Sequence, residues 1–281
     1  MCGRYAASTE IEDLLTELDI DLDRTGEPAR SLLKTPQQPP AGQPDWNVAP
    51  TKQAPVVLTR HPRREEDEAA AKGDPARQLR LLTWGLVPSW AKDPGVGARM
   101  INARAETVLD KPAFAKAAAS RRCLVPADGW YEWQVSPVAT DAKGKPRKQP
   151  FFIHRGDDSP VTFAGLYEFW RDPSRAADDP DAWLTTYAIV TTAADPGMDR
   201  IHDRQPLVLE PGMWADWLDP ELTDRGHVQE MLDFAAPGRF AAYPVSTAVN
   251  GARSNGPELL EPLPADQLVG VVDPQTGEVL G

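Results

Sequence analysis

A chain of 281 residues with a hydrophobic fraction of 41% is long enough to bury a large core, as one large domain or two smaller ones. Two cysteines exclude a disulfide framework and fit a reducing compartment, four scattered histidines form no metal-ligand spacing, and no apolar run reaches the roughly 18 residues of a membrane helix. The net charge of −12 argues against a generic polyanion binder, yet residues 99–155 hold eleven Lys or Arg against five acids, a net of +6 that leaves −18 on the remainder.

The first predicted element is a helix. Thr9 and Glu12 have the spacing of a capping box, and Ile11, Leu14, Leu15 and Leu18 form one apolar stripe. Residues 24–45, rich in Pro, Gln and Gly, read as a long loop. Residues 54–59 make a short strand, residues 60–76 a flexible polar insertion, and residues 79–87 a further strand ended by Pro88. Residues 110–120 read as a helix with Pro112 near its first turn. Strands are expected at 151–154, 161–166, 184–192 and 206–209, and helices at 212–218 and 221–234. Residues 265–281 read as a loosely attached tail. Strands outnumber helices without alternating with them, which predicts a mainly antiparallel, β-rich α+β fold.

Chemistry begins at Met1-Cys2-Gly3-Arg4. Removal of Met1, which the small second residue favours, would leave an α-amine and a thiol on adjacent carbons. Ordinary pKa values near ~7.7–8.0 and ~8.5 give both groups a reactive fraction close to neutrality. An aldehyde meeting this pair forms an imine with the amine, and the thiolate then closes a five-membered thiazolidine. An internal cysteine cannot do this, because its nitrogen is locked in an amide. By contrast, Cys123, before the apolar Leu124-Val125, reads as a buried structural thiol; His154 reads as a strand residue, and His61 and His227 as surface positions.

Six compact blocks combine polar, aromatic, Gly and Pro residues. They are Trp46-Asn47-Val48-Ala49-Pro50-Thr51, the Trp84 to Lys92 block, Ile101-Asn102-Ala103-Arg104-Ala105-Glu106-Thr107, the Arg122 to Trp133 block, Ile201-His202-Asp203-Arg204-Gln205-Pro206, and the Pro244 to Asn250 block. In this order they resemble the SOS response-associated peptidase family, which includes the bacterial abasic-site processing proteins. The resemblance runs from residue 2 to about 264 and implies one domain built on a barrel-like sheet with peripheral helices. It also implies that Cys2 is the nucleophile, holding the ring-opened sugar of an abasic site in single-stranded DNA, and that Asn102, Glu132 and His202 line its pocket.

The chemistry of these side chains suits that task. Glu132 can orient the α-amine and shuttle protons, His202 can exchange a proton near neutral pH, and Asn102 can hydrogen-bond sugar oxygens without acting as a base. Phosphates need cations, and Arg4, Arg104 and Arg204 sit in or beside the reactive blocks, with Lys92 and Arg99 as weaker candidates. Trp90 is the expected base-stacking face, with Asn47 and Pro50 as groove contacts; Trp84, Trp133 and Trp183 are expected in the core. The implied partner is single-stranded DNA, or a single-strand/duplex junction, carrying an abasic site. The expected protein is a cytoplasmic monomer, nucleoid-associated when bound to DNA, with no cofactor, metal or membrane; any replication-fork partner stays open. Two other readings stand beside this one: a thiol autopeptidase that removes the residue ahead of Cys2, and a non-covalent reader of modified bases that needs no free N-terminal cysteine.

Overall fold

The computed structural model describes residues 2–61, 75–176 and 178–281. Its elements open with β1 (Arg4–Ala7), α1 (Ile11–Glu17), β2 (Leu22–Asp23), β3 (Asp45–Val48), β4 (Gln53–Arg60), β5 (Ala76–Trp84), β6 (Asn102–Arg104) and α2 (Ala115–Ser120). The centre of the chain supplies β7 (Arg122–Ala127), β8 (Gly129–Thr140), β9 (Pro146–Arg155), β10 (Val161–Arg171) and β11 (Trp183–Ala193). Last come β12 (Arg204–Pro206), α3 (Trp214–Leu218), α4 (Arg225–Leu232), β13 (Phe240–Pro244), β14 (Val271–Val272) and β15 (Val279–Leu280).

Two sheets carry the fold. A five-stranded sheet runs β13-β9-β8-β1-β3, and an eight-stranded one runs β12-β11-β10-β7-β4-β5-β2 with β6 beside β11. Strand β5 also pairs with β11, matching Thr83 to Thr186 and Trp84 to Tyr187, so β11, β10, β7, β4 and β5 close into a barrel. Most pairings are antiparallel, as expected; those of β11 with β5 and β6, and of β2 with β5, are parallel.

Side chains two apart on a strand share a face. Val56 with Leu58, Leu82 with Trp84 and Cys123 with Val125 therefore fill the barrel, where each is at most 1% exposed. The alternate positions Val57, Leu79, Leu124 and Val190 pack outward with Leu14, Leu18, Trp217, Val228 and Leu232 of the helical layer. Barrel strands covered on both faces read as unbroken apolar runs.

The stripe of α1 forms as expected, with Leu14 and Leu18 each 4% exposed. Its cap does not: Glu10 occupies the N-cap position without a side-chain bond, and the helix starts at Ile11. The helix expected at 110–120 is confined to Ala115–Ser120 and preceded by turns, and the strand expected at 206–209 ends at Pro206. Trp183 is 43% exposed, at the barrel rim rather than in the core, while Trp84 is fully buried and Trp133 packs partly buried beside Tyr131 and Phe152. The polar insertion expected at 60–76 falls outside the described residues from 62 to 74. At the C-terminal end β14 lies against β8, where Gln134 exchanges two hydrogen bonds with Val272 at 2.7 and 2.8 Å and Val271 is 1% exposed.

Candidate active site

Strand β1 lies between β3 and β8, with Arg4 opposite Tyr131 and Tyr5 opposite Trp130. Continuing that antiparallel register brings residues 2 and 3 alongside Glu132 and Trp133. On the other side, β6 runs parallel to β11 with Asn102 opposite Ile189. Trp84 Nε1 donates to Ile101 O at 2.9 Å and so fixes the approach to Asn102. Gly85 follows at φ +124, a left-handed conformation, and a Cβ there would stand 2.6 Å from Gly97 O, so the Trp-Gly pair is a backbone requirement. The two arms meet where Asn102 Nδ2 donates to Cys2 O at 2.7 Å.

Cys2 is fully buried, its Sγ 3.7 Å from Arg4 O. Burial, helped by the charge of Glu132, pushes the thiol well above its ordinary pKa. The reactive thiolate fraction expected from ordinary values is thereby reduced, and the thiol is held protonated. Glu132 is 2% exposed, and burial lifts its carboxyl to about 7. A carboxyl in that range can both accept and donate a proton near neutrality.

His202 precedes β12. Its Nδ1 accepts the Arg204 amide at 3.0 Å, which puts the proton of the neutral ring on Nε2. The same Nδ1 lies 2.9 Å from Asp203 Oδ1, a contact that becomes an ion pair only in the protonated ring. Burial lowers the His202 pKa, which favours the neutral ring. Asn102 Oδ1 and Thr191 Oγ1 are buried without a hydrogen-bond partner among the described residues. Acceptors left so inside a protein are where a ligand's hydroxyl groups can be held.

The residues singled out for DNA divide sharply. Trp90 is 64% exposed, Arg104 is exposed and Pro50 is half-buried, so all three are accessible. Lys92 and Arg99 are exposed as well. Asn47 is fully buried: its Oδ1 accepts from Arg4 at 2.8 Å and its Nδ2 donates to the carbonyls of Gly251 and Ser254 at 3.0 and 2.9 Å. It ties a C-terminal loop to β3 instead of facing a groove. Arg4 also donates to Val249 O at 2.7 Å. Arg204 grips both oxygens of Glu106 at 2.5 and 2.9 Å and Thr191 O at 2.6 Å, so its fork is occupied within the protein.

Sequence reasoning missed several supports. Tyr5 and Tyr187 join through their hydroxyls at 2.6 Å beneath the site, and Trp133 Nε1 donates to Asn250 Oδ1 at 2.7 Å. Thr191, on β11, sits in a run of apolar strand residues with nothing local to mark it. No cluster of three or more metal-ligating side chains occurs among the described residues.

A family model described as SOS response associated peptidase matches residues 1–252. The chain is 35% identical to abasic site processing protein YoqW of Bacillus subtilis, over 93% of this chain and 99% of that one. It is 34% identical to abasic site processing protein YedK of Escherichia coli, over 94% and 100% of the two chains. To abasic site processing protein HMCES of Rattus norvegicus it is 32% identical, over 96% and 77%. A solved protein from Bacteroides thetaiotaomicron shares the fold with a TM-score of 0.67 at 20% identity, over 93% of this chain and 100% of that one. A phage-related protein from Bordetella bronchiseptica gives a TM-score of 0.56 at 30% identity, over 87% and 94%.

Proposed function

The chain belongs to the SOS response-associated peptidase family, and on that premise we propose that it captures abasic sites in single-stranded DNA as a covalent thiazolidine on Cys2. The observation that carries this reading is the 2.7 Å bond from Asn102 to the Cys2 carbonyl, in a pocket where the Glu132 carboxyl is lifted to about 7.

The chemistry starts when removal of Met1 frees the Cys2 amine. Glu132, as carboxylate, takes a proton from the ammonium. The neutral amine adds to the sugar aldehyde, the resulting carbinolamine loses its oxygen as water, protonated by Glu132, and the nitrogen then returns its proton to the Glu132 carboxylate to leave a neutral imine. The buried thiol acts second. Its sulfur bonds to the imine carbon while its proton passes to the nitrogen, so the product is a ring with a secondary amine and water is the only molecule lost. The raised thiol pKa suits this order, because the amine leads and the sulfur is needed only once the electrophile is in place. Asn102 Oδ1 is available to a hydroxyl of the opened sugar, and neutral His202 can exchange a proton during opening of the sugar ring or reversal of the crosslink. Trp90 stacks on a base flanking the lesion, Arg104 meets a phosphate, and the protein acts as a monomer on single strands or on junctions with duplex.

Cys2→Ala tests this directly on a single-stranded oligonucleotide with one abasic site. The wild-type protein gives an adduct that survives denaturation and the variant gives none, while non-covalent binding persists. An equally abundant adduct from Cys2→Ala overturns the proposal.

A further inference from the structure

We propose that residues 265–281 form a brace that holds the turn carrying His202 against the strand carrying Glu132, with Gln134 as the positioning residue at its centre. These residues lie outside the 1–252 stretch that the family model matches.

The two side chains come from different sheets. Glu132 is on β8 of the five-stranded sheet, whereas His202 sits in the lead-in to β12, a three-residue strand at the edge of the eight-stranded sheet. An edge strand that short, entered from a single 3-10 turn at Met198–Arg200, holds its approach weakly by itself. Gln134 lies two residues beyond Glu132, on the same face of β8 and roughly 7 Å along it at ~3.3 Å per residue. It is 1% exposed. Its Nε2 donates to Arg200 O at 3.1 Å and to Val272 O at 2.8 Å, and its Oε1 accepts from Val272 N at 2.7 Å. Arg200 is two residues ahead of His202, and the amides of Ile201 and His202 both donate to Met198 O, at 2.9 and 3.1 Å. One carboxamide therefore ties β8, the His202 turn and the C-terminal segment together. A buried amide whose two N–H groups and oxygen are all used is costly to disturb.

The C-terminal segment also grips each partner separately. Ser136, buried two residues further along β8, donates to Gly270 O at 2.6 Å. Gly270 is at φ +60, and a Cβ there would stand 2.6 Å from Ser136 Oγ, so this close approach needs glycine. On the other side the Arg200 guanidinium donates to Pro274 O at 2.6 Å and to Gln275 O at 3.0 Å. Between these contacts Val271, 1% exposed, packs in the same buried cluster as Met198, Ile201 and Trp130. The pairing of β14 with β15 folds the segment back on itself. A braced turn presents His202 to the abasic sugar in one orientation; a released turn samples several, and productive encounters become rarer. The kinetic effect rests on the reading of Cys2 as the nucleophile; the geometry does not.

Gln134→Met keeps the side chain neutral and close to its volume while removing all three bonds. Single-turnover adduct formation on single-stranded abasic DNA then falls about tenfold in its maximal rate, at an unchanged half-saturating DNA concentration. In a His202→Ala background the same substitution lowers the rate no further, because the brace acts through His202. Arg200→Gln, at an exposed position, releases the other grip and gives the same pattern more weakly; thermal melts check that both variants fold. An unchanged maximal rate in both variants, or an equal fall with and without His202, overturns the brace. The Cε1–H proton resonance of His202 in the DNA-free protein, assigned by its absence from His202→Ala, separates this outcome from failure of the Cys2 reading. It shifts and broadens in Gln134→Met as the turn is released, even if the wild type forms no adduct. A resonance unmoved in Gln134→Met overturns the brace whatever the adduct does.

Discussion

Replacing Glu132 by Gln removes a carboxyl that is 2% exposed and that burial lifts from the ordinary 4.5 to about 7. Between those two values the folded protein holds a proton that the unfolded chain has released. The contribution of this group to stability is therefore complete below about pH 4.5 and is lost as pH rises through about 7. A gap of about 2.5 in pKa, at ~1.4 kcal/mol for each, amounts to about 3 kcal/mol by pH 8. The Gln variant has no proton to release and escapes the loss. His202 contributes in the opposite sense, since its lowered pKa weakens the fold as pH falls, but it does so in both proteins and cancels in their difference. Urea unfolding of both proteins at pH 5.5 and pH 8, followed by tryptophan fluorescence, reads that difference. The variant gains about 2 kcal/mol on the wild type between the two pH values, because the unfolded chain has already released its proton at pH 5.5 and about 1.4 kcal/mol of the loss lies below that pH, and its adduct formation slows by about 10²-fold or more. A stability difference that does not change with pH refutes the buried, half-protonated carboxyl.

Asn102→Ala removes the bond to the Cys2 carbonyl at a cost of about 1 kcal/mol; adduct formation slows by about fivefold in single-turnover assays, yet the adduct still forms. Trp90→Ala weakens single-stranded DNA binding by about 1–3 kcal/mol in fluorescence titrations and leaves the melting temperature unchanged, because the indole is 64% exposed. Arg204→Ala behaves conversely: it strands Glu106 and the Thr191 carbonyl and lowers unfolding free energy by about 1–3 kcal/mol, while the salt dependence of DNA binding stays as in the wild type.

Local periodicity made part of this fold legible. The stripe of Leu14 and Leu18 located α1, and the apolar runs at 161–166 and 184–192 located the cores of β10 and β11. Strand β7 was missed because every residue in it is buried, which erases the alternation that marks a half-exposed strand, and because Pro126 interrupts it. Thr9 carried the spacing of a cap, but the chain leaves β1 in a conformation that puts Glu10 at the helix start. The pocket residues were reached through the order of the sequence blocks. Their supports were not, because the partners lie far apart in the chain. Asn47 is saturated by carbonyls some 200 residues later, and Arg204 meets Glu106 only because β6 and β12 both flank β11. A polar residue in a reactive block looks the same in sequence whether it faces a ligand or a distant carbonyl. Trp183 shows the reverse: an indole beginning an apolar strand reads as core until barrel closure puts it on the rim.

The intact mass of the protein after incubation with a single-stranded oligonucleotide bearing one abasic site bears most directly on Cys2. The expected product weighs as much as the protein without Met1 plus the oligonucleotide, less one water, and it forms without borohydride. Digestion then assigns the modification to the peptide that begins at Cys2. A product that retains Met1, or one that appears only after borohydride trapping and maps to a lysine, contradicts the thiazolidine on Cys2.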